Sequence, residues 1–433
     1  MDTSTYFRER FQQLHNEDSA LAPLQRKAFA AFEQAGIPTM RHEEWKYTRL
    51  AGIFNKDYGP SPTVPQGEGA IAREDLKVVR LPGGESANEI AFINGIFRPD
   101  LSVIRSGGLI VLPLEEAANG GYKDFIAQHL GYSARYQKDG INALNTAFVH
   151  GGVFVWVKRG TILEHPVHLY HIADAREANA LIQPRSLIHL DERAQATFAE
   201  TYVTVGPADS FTNEVTEIIV AQDARLSLYR IQNDAPSASQ VSTTLIRQTG
   251  KSYSHAVTVS LGGGIVRNNL NIVLEAPHSE AHLYGLYFLK GKSHVDNHTI
   301  VDHAAPNCES NELYKGIMDD SSVAVFNGKI FVRQPAQKTN AYQSNKNVLL
   351  SDAASVNTKP QLEIFADDVK CSHGCTVGQL DEEGLFYLRS RGIPEEAARS
   401  LLVQAFAVDI LEQIRDEQVR GHVSSLIRER LEA

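Results

Sequence analysis

Three residues with metal-binding or redox chemistry stand two apart near the end of the chain: Cys371, His373 and Cys375, in Val369-Lys370-Cys371-Ser372-His373-Gly374-Cys375. In an extended strand, side chains at i, i+2 and i+4 share one face. The spacing therefore predicts two thiols and an imidazole side by side. Soft sulfur with imidazole suits zinc, copper(I) or an iron–sulfur centre, and not magnesium or calcium. Gly374 leaves room for a bend that would turn Cys375 away, so Cys371 and His373 form the core of the candidate and Cys375 is an extra ligand candidate. One such segment supplies part of a four-ligand site; the remaining donors must come from elsewhere in the fold or from another chain. The bland alternative is a buried thiol beside a hydrogen-bonded histidine.

Other chemistry-bearing residues group less well. Cys308 is the third cysteine, and an odd, sparse count is no disulfide framework; free thiols in a reducing compartment are expected. His278, His282, His294, His298 and His303 match no metal-ligand spacing, and on alternating strands some must face apart. Asp367 and Asp368 are strand neighbours that face opposite ways, which suits solvation better than a joint acid–base role. Gly262-Gly263-Gly264 lacks the helix and the Lys-Ser/Thr of a phosphate loop, so a tight turn is expected. Trp45 reads as a packing anchor. The sequence shows neither a Walker motif nor a serine-nucleophile motif.

The elements that must hold these residues follow from periodicity. The chain has 433 residues with ordinary globular composition, enough for two or three domains. Its net charge of -10 excludes a general affinity for nucleic acid or anionic membrane. No window approaches a membrane-spanning apolar run, and Met1 to Thr5 do not open a signal peptide, so a cytoplasmic protein is expected. Apolar residues at helical spacing predict helix over the first 35 residues, stopped at Gly36-Ile37-Pro38. A Pro/Gly-rich connector begins at Tyr58, short strands are expected within 77–113, and helix returns at 121–149. From Gly151 to about residue 370 the text changes to short strand-like runs broken by Gly, Asn, Asp and Ser.

A small or polar residue before alternating apolar positions recurs near Ala194, Ala224, Ser252, Glu280, Ser322 and Ala354, at intervals of 30, 28, 28, 42 and 32. Such a period suits the coils of a parallel β-helix, and is compatible with a sandwich or jelly roll. The tail is helical from Ile393-Pro394, with Ala398, Leu401, Leu402, Ala405, Phe406, Ile410 and Ile414 in register. A short charged helix, Ser424 to Leu431, follows Gly421. The tail's apolar stripe either packs on the β region or docks a partner.

Longer motifs narrow these readings. Thr339 to Leu350 (T-N-A-Y-Q-S-N-K-N-V-L-L) leads into Thr358 to Gly374 (T-K-P-Q-L-E-I-F-A-D-D-V-K-C-S-H-G). Then come Thr376 to Asp381 (T-V-G-Q-L-D) and Leu385 to Ile393 (L-F-Y-L-R-S-R-G-I). These stretches, with Arg41 to Thr48 (R-H-E-E-W-K-Y-T), resemble the signature of the SufB/SufD family, the paired scaffold subunits of the SUF iron–sulfur assembly system. The SufD branch fits better, because the chain lacks the cysteine-bearing segments of SufB-like sequences. It departs from the usual pattern at Cys375, where a small residue is typical.

The resemblance implies a mainly β fold: a right-handed parallel β-helix (151–375) between an N-terminal helical and α/β region (1–150) and a C-terminal helical domain (376–433). It implies a non-enzymatic scaffold that pairs with a SufB-like subunit through the β-helix and docks a SufC-like ATPase through its C-terminal helices, with Leu401, Leu402, Phe406 and Ile410 as contact candidates. It also implies a transient iron–sulfur cluster at the SufB interface, with Cys371 and His373 as metal-binding candidates shared with SufB. No cofactor is expected on the isolated chain; a reduced flavin is implied only for the complex, and the sequence contains no flavin motif. Whether the isolated chain forms a homodimer is left open. Two other classes stand beside this one: a stand-alone metal-binding protein using the Cys/His segment, and a β-helix carbohydrate-active enzyme using the Asp/His-rich coils.

Overall fold

Short strands with an alternating pattern cannot bury both faces alone, so they stack. In the computed structural model, which describes residues 3–58 and 71–432, they do so as a solenoid with two walls. Strands beginning at Gln195, Arg225, Tyr253, Glu280, Glu309, Thr339 and Val369 pair in parallel, each with the next, in the first wall. Strands beginning at Ser210, Ala238, Ile265, His294, Val323 and Ser355 do the same in the second. The chain crosses from wall to wall, leaving one strand in each per coil, and among the described residues each wall reaches ten strands. The β-helix expectation holds. The parallel ladders rule out an antiparallel sandwich or jelly roll.

The recurrent small residue has a mechanical reason. Ala194, Ala224, Ser252, Ser322 and Ala354 are buried at coil corners. There the carbonyls of Ala194, Ala224, Ser252 and Ser322 accept from the backbone N–H groups of Arg225, Tyr253, Glu280 and Ser355 one coil on. The irregular 42-residue interval arises because Ser252 and Glu280 open first-wall strands whereas Ser322 precedes a second-wall strand.

Between the walls lies an apolar core that includes Phe198, Leu228, Ala256, Leu283, Val295 and Phe326. Each outer face has its own cover. The N-terminal helices Thr3–Leu14 and Ala22–Ala35 pack Phe7, Phe29 and Phe32 into a cluster with Phe211 and Val241 of the second wall. The C-terminal helices Glu395–Leu411 and Glu417–Glu432 lay Val403, Ala407, Ile410, Val419, Val423 and Ile427 on Tyr229, Val257, Leu286 and Ile317 of the first. Lys315, buried in that wall, binds the Phe406 carbonyl (2.9 Å) and the Asp409 carboxylate.

Four details differ from, or lie beyond, the sequence reading. The last helix starts at Glu417, not after Gly421; Val419, Val423 and Ile427 form one buried stripe, and their packing outweighs the cost of about 1 kcal/mol for a glycine inside a helix. An additional helix, Glu382–Ser390, starts at an Asp381 cap whose side chain accepts from the Glu383 and Gly384 N–H groups. The Pro/Gly-rich connector falls, beyond Tyr58, outside the described residues. Strands Asn88–Ile93 and Leu109–Pro113 precede residue 150 yet join the walls, and the last strand runs to Gln379.

The Arg41–Thr48 segment is locked onto the second wall by charge. The Arg267 guanidinium lies 3.9 Å over the Trp45 ring, donates to the Glu44 carbonyl (2.6 Å) and pairs with Asp296 (2.8 Å). Asp296 also accepts from Thr48 (2.5 Å) and lies 2.9 Å from His298. Trp45 is buried and donates to Asp139 (3.0 Å), as an anchor should. Arg267→Ala should destabilise the chain by about 3–5 kcal/mol in urea unfolding, because Asp296 is left charged and buried; Arg267→Ala with Asp296→Asn should recover part of that loss.

Candidate functional site

The two ends of the solenoid are built differently. At its start, the two-residue strand Ile96–Phe97 and the strand Leu109–Pro113, which ends in proline, run antiparallel along the edges and close them. At its far end, Ser355–Ile364 and Val369–Gln379 are the last strands of their walls, with no further strand beyond either among the described residues. Neither contains a buried residue, whereas Ser210–Val220 in mid-solenoid is buried throughout. Long, flat, unpaired edges of this kind invite pairing with another chain.

Cys371, His373 and Cys375 lie on this final strand. Its register with Thr339–Leu349 is unbroken over eleven residue pairs, so Gly374 introduces no bend and all three side chains share one face. That face is the inner one: Val369 and Cys371 pack on the core between the walls. Burial raises the Cys371 thiol above its usual pKa, which favours its protonated form. His373 and Cys375 are exposed at the open end. Cys308 is buried elsewhere, with its thiol directed at the Ala276 carbonyl (3.3 Å).

Behind this face the core turns polar. In one ladder column of the first wall, Phe198, Leu228, Ala256 and Leu283 give way to Glu312, Gln343 and His373. Glu312 is fully buried with no cation beside it; it accepts from Thr299 (2.5 Å) and Gln343 (2.7 Å), and burial pushes its pKa up to about 7. Gly328 on the opposite wall makes room for Gln343, since a Cβ there would sit 2.3 Å from its Nε2. One column over, Asn345 donates to the Tyr287 hydroxyl (2.9 Å). Asn347 donates to the Thr376 carbonyl (3.3 Å), bracing the last strand beside Cys375.

Elsewhere the chemistry-bearing residues disperse. His282 lies on the outer face of the first wall beside Tyr253 and Tyr284, while His294 binds Thr48, His298 binds Asp296 and His303 binds Ser310. The Gly262–Gly264 run forms no hydrogen-bonded turn; it is a coil corner pressed on the preceding coil, where a Cβ on Gly264 would lie 2.6 Å from the Pro236 carbonyl oxygen. A group that sequence reading missed, His171, Glu200 and Glu214, has the donor types of a metal site and is fully buried. Arg230, however, already lies 2.6 Å from Glu200 and 3.3 Å from Glu214, so the cation position is taken by a guanidinium. Burial holds His171 neutral, at about 4, between the rings of Phe92 and Tyr202. The group is an internal strut.

A cleft of about 1150 Å³ separates the N-terminal region from the second wall. Its Arg267, Lys329 and Arg333 face Asp296, Glu44 and Asp302. Arg267 and Lys329 tie the wall to Glu44 of the N-terminal region, whereas Arg333 pairs with Asp302 within the wall. On the C-terminal helix, Ile410 is buried on the first wall and Phe406 is half-buried over Lys315. Leu402 is half-buried and Leu401 is exposed. With Leu401, Ala405 and Val408 face outward at i, i+4 and i+7, near the exposed Phe386 and Tyr387 in sequence. No helix among the described residues is long and apolar enough to cross a membrane.

Two family models match the sequence: the SufBD protein N-terminal region over residues 2–169, and the SufBD core domain of SUF-system FeS cluster assembly over residues 171–406. The chain belongs to the SufBD family. A SufBD family iron–sulfur cluster assembly protein of Synechocystis is 33% identical over 420 residues, covering 95% of this chain and 91% of that protein. The iron–sulfur cluster assembly protein SufD of Escherichia coli is 32% identical over 431 residues, covering 97% and 96%. SufD of Bacillus subtilis is 27% identical over 313 residues, covering 68% and 69%.

In this SufBD chain, the polar column behind His373 was hidden from a linear reading because its members lie about thirty residues apart; the coil period is the one signal that aligns Glu312, Gln343 and His373. Glu312 gives a pH test. Its folded-state pKa of about 7 exceeds its ordinary 4.5, so the folded protein holds a proton the unfolded chain releases. Its contribution is intact below pH 4.5 and is lost as pH rises through about 7. Glu312→Gln does not titrate, so in urea unfolding its stability relative to wild type should rise by about 3 kcal/mol between pH 4.5 and 8.

Proposed function

We propose that this chain is the SufD-type scaffold subunit of a SUF assembly complex, without catalytic activity of its own, and that it works in the cytoplasm. The observation that carries the reading is the pair of unpaired edge strands at the far end of the solenoid, with Cys371, His373 and Cys375 in a row on the inner face of one. Nearly full-length similarity to a protein named SufD supports the choice of branch.

In this reading the partner is a SufB-type subunit whose own solenoid edge completes the backbone hydrogen bonds of Ser355–Ile364 and Val369–Gln379. A nascent iron–sulfur cluster is the cargo of the joint. Two thiols and an imidazole offer soft ligands to iron or relay sulfur, and the partner supplies the remaining donors. Cys375 adds a sulfur within the same row. In isolation the same edge can pair with a second copy, giving a homodimer. A SufC-type ATPase docks on the C-terminal helices; the outward stripe of Leu401, Ala405 and Val408, with Phe386 and Tyr387, is the surface free for it, since Ile410 is already spent on the first wall. Any reduced flavin belongs to the assembled complex.

The test is anaerobic reconstitution with SufB- and SufC-type partners, comparing wild type with His373→Ala. The variant should assemble the complex with normal stoichiometry and lose most cluster formation, followed by visible absorbance. Cluster formation at the wild-type rate would remove His373 from the mechanism.

A further inference from the structure

The ladder partner of His373 on the preceding coil is Gln343, and the partner of Gln343 one coil deeper is Glu312. Parallel partners stack their side chains along the solenoid at the inter-strand spacing of roughly 4.8 Å. The three therefore form a file running from the buried core to the open end. The two inner members fix each other. Glu312 has both carboxylate oxygens engaged, one by Thr299 and one by the Gln343 amide nitrogen. Both contacts are made to carboxylate oxygens as acceptors, so the Gln343 amide carries its NH2 inward to Glu312. Its carbonyl oxygen is left buried and takes no hydrogen bond among the described residues. Gln343 itself is 3% exposed and is confined on the far side by Gly328. A buried acceptor without a donor is costly, and the next side chain along the file is an imidazole.

We propose that Gln343, held with its NH2 toward Glu312, is a positioning residue: the exposed His373 ring, which makes no hydrogen bond to it in this structure, turns inward about its side-chain torsions to donate one N–H to the Gln343 carbonyl oxygen, and that bond decides which ring nitrogen is offered as a lone pair to the incoming metal. This rests on the reading of His373 given above but adds a separate device. A histidine ligand needs one nitrogen deprotonated and directed outward, and the bond made by the other nitrogen selects the tautomer. Exposed imidazole at an open edge has no such selection by itself. The file supplies it from side chains buried within this chain, so the ligand is prepared before the partner arrives. Thr299 of the second wall anchors the inner end, and the preference is carried across the solenoid by two side-chain hydrogen bonds.

The experiment is nitrogen NMR of the full chain with 15N-labelled histidine, the His373 pair being identified by its disappearance in His373→Ala. Wild type should show one dominant tautomer. Gln343→Leu should collapse the pair toward mixed-tautomer shifts, as should Glu312→Leu, whereas Glu312→Gln keeps an acceptor for the Gln343 amide and should retain the wild-type pattern. Should the leucine variants misfold by circular dichroism, Gln343→Asn withdraws the acceptor by one methylene and should give the same collapse. With SufB- and SufC-type partners, Gln343→Leu should lower cluster formation by roughly 10- to 100-fold. Unchanged His373 shifts in a folded Gln343 variant overturn the proposal, and so does a collapsed tautomer pattern with wild-type cluster formation. Wild-type cluster formation by His373→Ala would instead sink the functional reading while leaving the tautomer lock standing.

Discussion

Among the described residues, the backbone of the last solenoid coil has no neighbouring strand on its outer side. Each earlier coil hands its N–H and C=O groups to the next, so a parallel ladder shifts its unpaired groups to the final strands without removing them. Here those strands are Ser355–Ile364 and Val369–Gln379, ten and eleven residues long. The other end is closed by short antiparallel strands, one ending in proline. Both broad outer faces are covered as well, the second wall by the N-terminal helices and the first by the C-terminal ones. What is left bare is the rim that carries Cys371, His373 and Cys375. Pro360 removes one donor from this edge, but the rest of its length is an aggregation hazard unless a defined partner covers it.

The core changes character on the way to that rim. Deep in the solenoid the file of Phe198, Leu228, Ala256 and Leu283 is apolar, and the charges that do occur there, such as Glu200, Glu214 and Arg230, neutralise one another. Toward the open end, Glu312, Gln343, Asn345, Asn347 and Tyr287 replace hydrocarbon with a hydrogen-bonded network. Such a network gains less from burial than an apolar core does. It gives in return fixed donors and acceptors directly behind the reactive face, where pure hydrocarbon would leave an imidazole free to rotate. Glycines beside Tyr314 and Tyr287 in the same wall, at 285 and 316, and opposite Gln343, at 328, leave the space these side chains fill.

Much of this was legible in the sequence because it depends on local period. Alternation placed Cys371, His373 and Cys375 on one face, and the echo of small residues near thirty-residue spacing marked the coils. The motifs around residues 339–393 and 41–48 pointed to the SufB/SufD family, which the family matches bear out. What stayed hidden depends on contacts between distant coils. The wall to which each strand belongs explains the odd 42-residue step, but no property of Ser322 itself announces it. Arg267 gave no sign that it would lie on Trp45, more than two hundred residues away. Ile410 and Leu401 belong to the same apolar stretch, and only packing reveals that one faces the wall and the other faces out. Gly421 read as a helix stop because its neighbours' burial could not be seen.

The central claim is that the open edge of the last coil is where this chain meets its partner. Amide hydrogen exchange of the purified chain, alone and with a SufB-type subunit, tests it most directly. The account predicts fast exchange in the isolated monomer for the alternate amides of Ser355–Ile364 and Val369–Gln379 that point away from the preceding coil, and strong protection of those amides on adding the partner, with little change in the covered outer faces. Protection that appears elsewhere while these amides remain fast would contradict it.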